Sequence, residues 1–267
     1  MMAAALFAVA AGLAVALFLH ARRRAREYRE AVRNELRSTF GKEYPELDVG
    51  AALDRDSDLL RVAERRATGD ERLALCRAFA ARLALTAAPL AEEFDLKIHG
   101  PRLVPTLISS DFLELLPERR QVPTTAIADT GLYAIYTVSG EGEGDGALSY
   151  LVDDHLRAVG VDRRDIHGIA IAVLRQRFEP ADVAELPATG ALRVRTTGLT
   201  HTAAALLVLG ESLGPGETLF AAVPRSDRLW LAAEPGDRHP FDEPPSVAAI
   251  PLLGSWLRVS GREFEIL

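Results

Sequence analysis

Residues Met1–Leu19 form an unbroken apolar run, MMAAALFAVAAGLAVALFL, and the twenty residues after it hold seven arginines, Arg22, Arg23, Arg24, Arg26, Arg29, Arg33 and Arg37. As a helix the run measures roughly 28 Å, close to the hydrocarbon thickness of a bilayer. Apolar side chains around its whole circumference leave no polar face for water, so the core of a soluble domain suits it poorly. All seven arginines follow the run, and positive flanks stay on the cytoplasmic side. The expectation is a single-pass transmembrane anchor at 1–19 in the inner (cytoplasmic) membrane, with the N-terminus outside and a globular domain in the cytoplasm. A secretory signal is the competing reading. It wants positive charge before a shorter apolar core, whereas here the dense charge lies where it opposes export.

Charge is unevenly spread. Seven arginines against three glutamates make residues 20–39 net +4, which leaves −11 for residues 40–267 out of a total of −7. The basic collar suits anionic lipid headgroups. The acidic body discourages nucleic acid, whose binding rests on neutralising phosphates with cations. Lipid through residues 1–19 and the collar, a protein partner and no nucleic acid are the expected associations. Cys76 is the only cysteine, so no disulfide forms within one chain, in keeping with a reducing compartment. Its setting, LALCRAFAARLAL, is that of a small buried hydrophobe rather than a nucleophile.

The organisation expected along the chain is an anchor at 1–19, a basic juxtamembrane helix at 20–40, a helical segment at 41–93 and an α+β domain at 94–267. Gly41 and Pro45 end the juxtamembrane helix. Asp58 and Asp70 are positioned to cap the next two helices. A chain starting near Gly41 is expected to fold alone, with the core in later elements. From Phe94 the pattern turns to short β-branched or alternating stretches, 94–98, 102–109, 121–128 and 132–138, with Thr130-Gly131 turning a hairpin. Gly140–Gly146 is an acidic glycine-rich loop. Helices are expected at 147–159 and 162–178, separated by Gly160, the second capped by Asp162 with Ile166, Ile169, Ala170, Val173 and Leu174 inward. A strand at 192–196, an ambiguous 202–213, and hairpins pairing 219–223 with 229–233 and 256–260 with 263–267 complete it. Neither regular β-α-β alternation nor an all-β order, this is α+β.

Several patterns resemble chemistry. Gly210-Glu211-Ser212-Leu213-Gly214 matches the G-x-S-x-G nucleophile elbow, with Asp227 and His239 following in hydrolase order. That elbow needs a strand before the serine and a helix after it, so that backbone N–H groups serve an oxyanion. Pro215-Gly216 denies it the helix. The loop Gly140–Gly146 lacks the Lys-Ser/Thr of a phosphate loop, and Glu141, Glu143 and Asp145 repel phosphate. His20, His99, His155, His167, His201 and His239 show no metal-binding spacing, although His155 and His167 lie on adjacent helices. The segment 148–178 resembles a helix-turn-helix with Arg163, Arg164, His167, Arg175 and Gln176 on its second helix, but an αα-corner packed on a sheet explains the same residues. No catalytic, cofactor-binding or metal-binding residue is assigned, and no cofactor is expected. A hydrolase assembled from Asp129, Asp153, Asp154, His155 or Ser212 is the alternative to a membrane-tethered interaction or regulatory module.

Three stretches carry a family resemblance: Pro101-Arg102-Leu103-Val104-Pro105, Tyr150 to Leu156 running on through Gly160-Val161 toward Phe178, and Leu219 to Leu231 around Pro224-Arg225-Ser226-Asp227. They resemble the uncharacterised YtpQ-like family of bacterial proteins over residues 95–235. The turn departs from the family's Pro-Arg-Asp pattern, and the N-terminal anchor is an addition to it. The resemblance implies an α+β fold and brings no catalytic residue with it.

Overall fold

The computed structural model describes residues 2–45, 53, 57–66, 68–116, 120–138, 147–178, 191–194, 202–214, 216–236, 239–242, 249–261 and 263–267. Of residues 2–16, 57, 58, 192 and 239 only the backbone is described. The fold is α+β and divides into two compact units, 1–76 and 77–267. Among the described residues no helix is long and apolar enough to cross a membrane. The side chains of residues 1–16, on which the anchor expectation chiefly rests, lie outside the described residues, as do the 140–146 loop and His201.

The first unit is helical. Helix α1 (Met2–Glu43) runs unbroken, about 63 Å at the usual rise. Near its end Val32, Leu36 and Phe40, with Tyr44 just beyond, recur at every fourth position, and all are buried. That spacing puts them on one face, and helix α2 (Ser57–Ala63) packs against α1 with Leu59, Leu60, Val62 and Ala63 buried. Arg29 Nε donates to Glu64 Oε1 at 2.5 Å, and Arg72 pairs with Glu35. Val32, Leu36 and Phe40 thus belong to the first unit's core, and a chain starting near Gly41 would lack them. Helix α3 (Gly69–Ala84) opens on a capping box. Thr68 Oγ1 accepts the Glu71 N–H at 3.2 Å, and the Glu71 carboxylate accepts the Thr68 N–H at 3.0 Å. The cap is Thr68 rather than Asp70, since the reciprocal pair satisfies two N–H groups at once. Cys76 is buried on this helix.

The second unit holds two five-stranded sheets. In the first, β1 (Ala87–Pro89) pairs in parallel with β5 (Leu148–Tyr150), and the long central strands β2 (Leu103–Ser109) and β4 (Leu132–Val138) are antiparallel. One side of β4 is shared: β3 (Thr125–Ile127) pairs with its first half, and β5 meets it at Thr137↔Tyr150. The second sheet has the order β10-β9-β7-β8-β6, built from β6 (Leu192–Arg193), β7 (Leu219–Ala222), β8 (Trp230–Ala232), β9 (Trp256–Ser260) and β10 (Glu263–Ile266). Gly261 turns β9 into β10 at φ +57°, a left-handed conformation natural to glycine.

Two expected elements come out differently. The stretch 94–98 is no strand: Asp95 caps a single helical turn, α4 (Leu96–His99), by accepting the Lys97 N–H at 2.7 Å. The stretch 147–159 splits into strand β5 and helix α5 (Asp153–Ala158). Leu148 and Tyr150 fit a period of two as well as a helical period, and pairing with β1 decides between them. Helix α6 (Arg163–Arg177) forms as expected, with Asp162 Oδ1 accepting the N–H groups of Arg164 and Asp165. Its inward face is Ile166, Ala170, Ile171 and Leu174, whereas Ile169 and Val173 are half-buried. Residues 202–212 resolve as helical turns, Thr202–Ala205, α7 (Leu206–Leu209) and Gly210–Ser212. These turns, α6, and strands of both sheets enclose one apolar core that includes Leu107, Ala134, Leu206, Leu231 and Leu257.

Candidate functional site

Strand alternation sets the position of Tyr136. Along β4, Leu132, Ala134, Tyr136 and Val138 share one face by the period of two, and these four residues line the apolar clusters that α6 also enters. Thr125 pairs with Ala134 across the β3–β4 ladder, which makes Tyr136 its diagonal neighbour on the same face. The Thr125 and Tyr136 hydroxyl oxygens are 2.5 Å apart. Helix α6 supplies the third group: His167, next to the inward Ile166, has Nδ1 3.0 Å from the Tyr136 hydroxyl. The two rings meet edge to face, 6.0 Å between centroids. Burial raises the phenol's pKa and lowers the imidazole's, although the Thr125 hydrogen bond works the other way on Tyr136. Both groups are therefore neutral near pH 7.

His167 stands at the edge of an open cleft of about 330 Å³. Thr125, Ile127, Ile171, Leu207 and Phe264 line it, while Arg175 and Glu211 close one wall. Those two form a bidentate pair, both N···O distances 2.6 Å. Ala128, also in the lining, has φ +43°. An alanine held there costs about 1 kcal/mol or more, and residues in such conformations cluster at functional sites.

The residues singled out from sequence do not gather here. Ser212 is exposed at the end of a helical turn, preceded by helix and followed by extended chain. Gly210 has a structural reason of its own: a Cβ there would lie 1.5 Å from the Gly261 carbonyl oxygen. Asp227 accepts from Arg225 at 3.0 Å and from Arg228 at 2.5 Å, and the His239 side chain lies outside the described residues. Asp153 is held by Arg163 at 3.0 and 2.6 Å, Asp154 pairs with Arg157, and Asp129 lies in the β3–β4 turn. His155 Nδ1 accepts the Val152 N–H at 3.1 Å, so it caps α5 rather than joining His167. His99 is buried, taking the Asp95 N–H on Nδ1 at 2.9 Å with Nε2 3.1 Å from Glu92, and His20 is exposed. Among the described residues no group of His, Cys, Asp and Glu is arranged to hold a metal ion.

Thr125 and Tyr136 were missed. The available signal was a histidine beside the apolar stripe of α6 and a tyrosine on the inward face of β4, two polar groups that each needed a partner. No family model, curated protein or solved structure matches this chain.

Proposed function

We infer that this chain is a membrane-tethered, cytoplasm-facing interaction or regulatory module, bound to lipid through residues 1–19 and the arginine collar, with a protein partner and no nucleic acid. The observation that carries this reading is the continuity of α1. One helix joins the apolar run to Val32, Leu36 and Phe40 in the first unit's core, and so ties a folded unit directly to the run. The last residues of the run, Leu17, Phe18 and Leu19, are each more than half exposed, a contiguous apolar surface that asks for cover. In the collar, Arg23 and Arg26 keep most of their surface in solvent while bonded to Glu27 and Glu30 four residues on. Exposed arginines near an anionic leaflet are worth about 1 kcal/mol each. The YtpQ-like resemblance over 95–235 belongs to the same proposal, and its matching stretches contribute strands, helices and a turn rather than a shared catalytic group.

The test is fractionation of the full chain against a chain lacking residues 2–19, with a reporter fused after Leu267. The full chain is expected in membranes with the reporter behaving as cytoplasmic, and the shortened chain in the soluble fraction. A periplasm-dependent reporter that becomes active, or a full chain released without detergent, contradicts the reading.

A further inference from the structure

The protons of the Thr125–Tyr136–His167 chain can be assigned by chemistry. A phenol is a better donor than an imidazole N–H, and a neutral imidazole nitrogen is a better acceptor than a phenol oxygen. Tyr136 therefore donates to His167 Nδ1, and Thr125 donates to the Tyr136 oxygen. With Nδ1 an acceptor and the ring neutral, the imidazole proton sits on Nε2. No protein partner meets Nε2 among the described residues, and His167 lines the cleft. The site thus offers one fixed, uncharged donor beside an apolar floor, with the charged residues of its lining, Arg175 and Glu211, bonded to each other.

We propose that this cleft takes a small uncharged carbonyl compound. Its oxygen accepts the His167 Nε2–H, and its apolar body lies against Ile127, Ile171, Leu207 and Phe264. A volume of about 330 Å³ lies at the small end of ligand pockets. An anion would have to separate Arg175 from Glu211 to gain a cation, and a cation would meet an imidazole N–H rather than a lone pair. A purely apolar molecule would leave the donor unmet, which discriminates strongly in a site built to hydrogen-bond.

The test follows His167 in the full chain in detergent micelles, using 15N-labelled histidine and assigning the signal with His167→Phe. Cyclohexanone is the probe, and it is expected to shift the His167 Nε2 signal saturably. Methylenecyclohexane, of like shape without the oxygen, and cyclohexanecarboxylate, which brings a charge, are each expected to bind about fivefold more weakly or less. His167→Phe removes the donor but also alters packing, so a second variant locates the site. Gly168 lines the cleft beside His167 and a Cβ there meets nothing within 4 Å, so Gly168→Leu is expected to intrude into the cleft, keep the thermal transition and abolish the shift. The proposal is overturned if the ketone leaves His167 unmoved, if its effect survives Gly168→Leu in a folded protein, or if the alkene or carboxylate binds equally well.

Discussion

In the first sheet of the second unit, central strands carry hydroxyl groups into the interior. Thr106 and Thr137 lie directly bonded at 2.9 Å, both buried, and Tyr136 reaches Thr125 and His167 from the opposite face of β4. In the second sheet the inward positions are Leu219, Ala221, Leu231, Leu257 and Val259, none of which has a polar side-chain atom. An apolar interior gains from burial alone, without directional requirements. A buried hydroxyl gains little, costs much when unmet, and fixes the geometry of whatever it bonds. The cleft opens where the first sheet meets α6, and the second sheet supplies Phe264 to its lining. Both sheets bury apolar residues in the core, and the first also fixes a hydroxyl–imidazole chain.

The contrast is broken most forcefully by Leu257→Ala. Removing a fully buried leucine from the second sheet is expected to lower stability by about 3 kcal/mol while leaving the His167 spectrum of the surviving folded protein unchanged. Tyr136→Phe is expected to cost less, about 1–2 kcal/mol, yet to release His167 from its single tautomer. Chemical unfolding and histidine NMR read the two effects, and similar spectral changes in both variants would erase the distinction between the sheets.

How much of this was legible in the sequence depended on range. The strand 132–138, the Gly261 turn and the Asp162 cap are set by neighbours in the chain, and each formed where expected. Strand β5 was hidden because it needed β1, some sixty residues earlier, to choose pairing over helix. The Thr125–Tyr136–His167 chain was hidden for the same reason: it depends on the β3–β4 register and on α6 lying over the sheet, with Tyr136 and His167 separated by 31 positions. The Gly210–Gly214 motif was conspicuous because it is local, and local is all it is.

Burial lowers the His167 pKa, so the folded protein resists a proton that the unfolded chain accepts. This contribution is whole above the ordinary histidine value of about 6.5 and is lost as pH falls from there toward the lowered folded value. Wild type should therefore lose more stability than His167→Gln over that interval, as followed by urea unfolding at stepped pH. A parallel loss in both would mean His167 titrates normally. Gly168→Ala, at an exposed helical position, should add about 0.5–1 kcal/mol. Ser212→Ala should change stability by less than about 0.5 kcal/mol, and wild type should take no label from a serine-reactive phosphonate.

A long-range 1H–15N spectrum of His167 in the full chain at about pH 7.5 reads the position of its proton directly. The ring is expected to be neutral with its proton on Nε2, converting to mixed tautomers in Tyr136→Phe. A charged ring at that pH, or a proton resident on Nδ1, would contradict it.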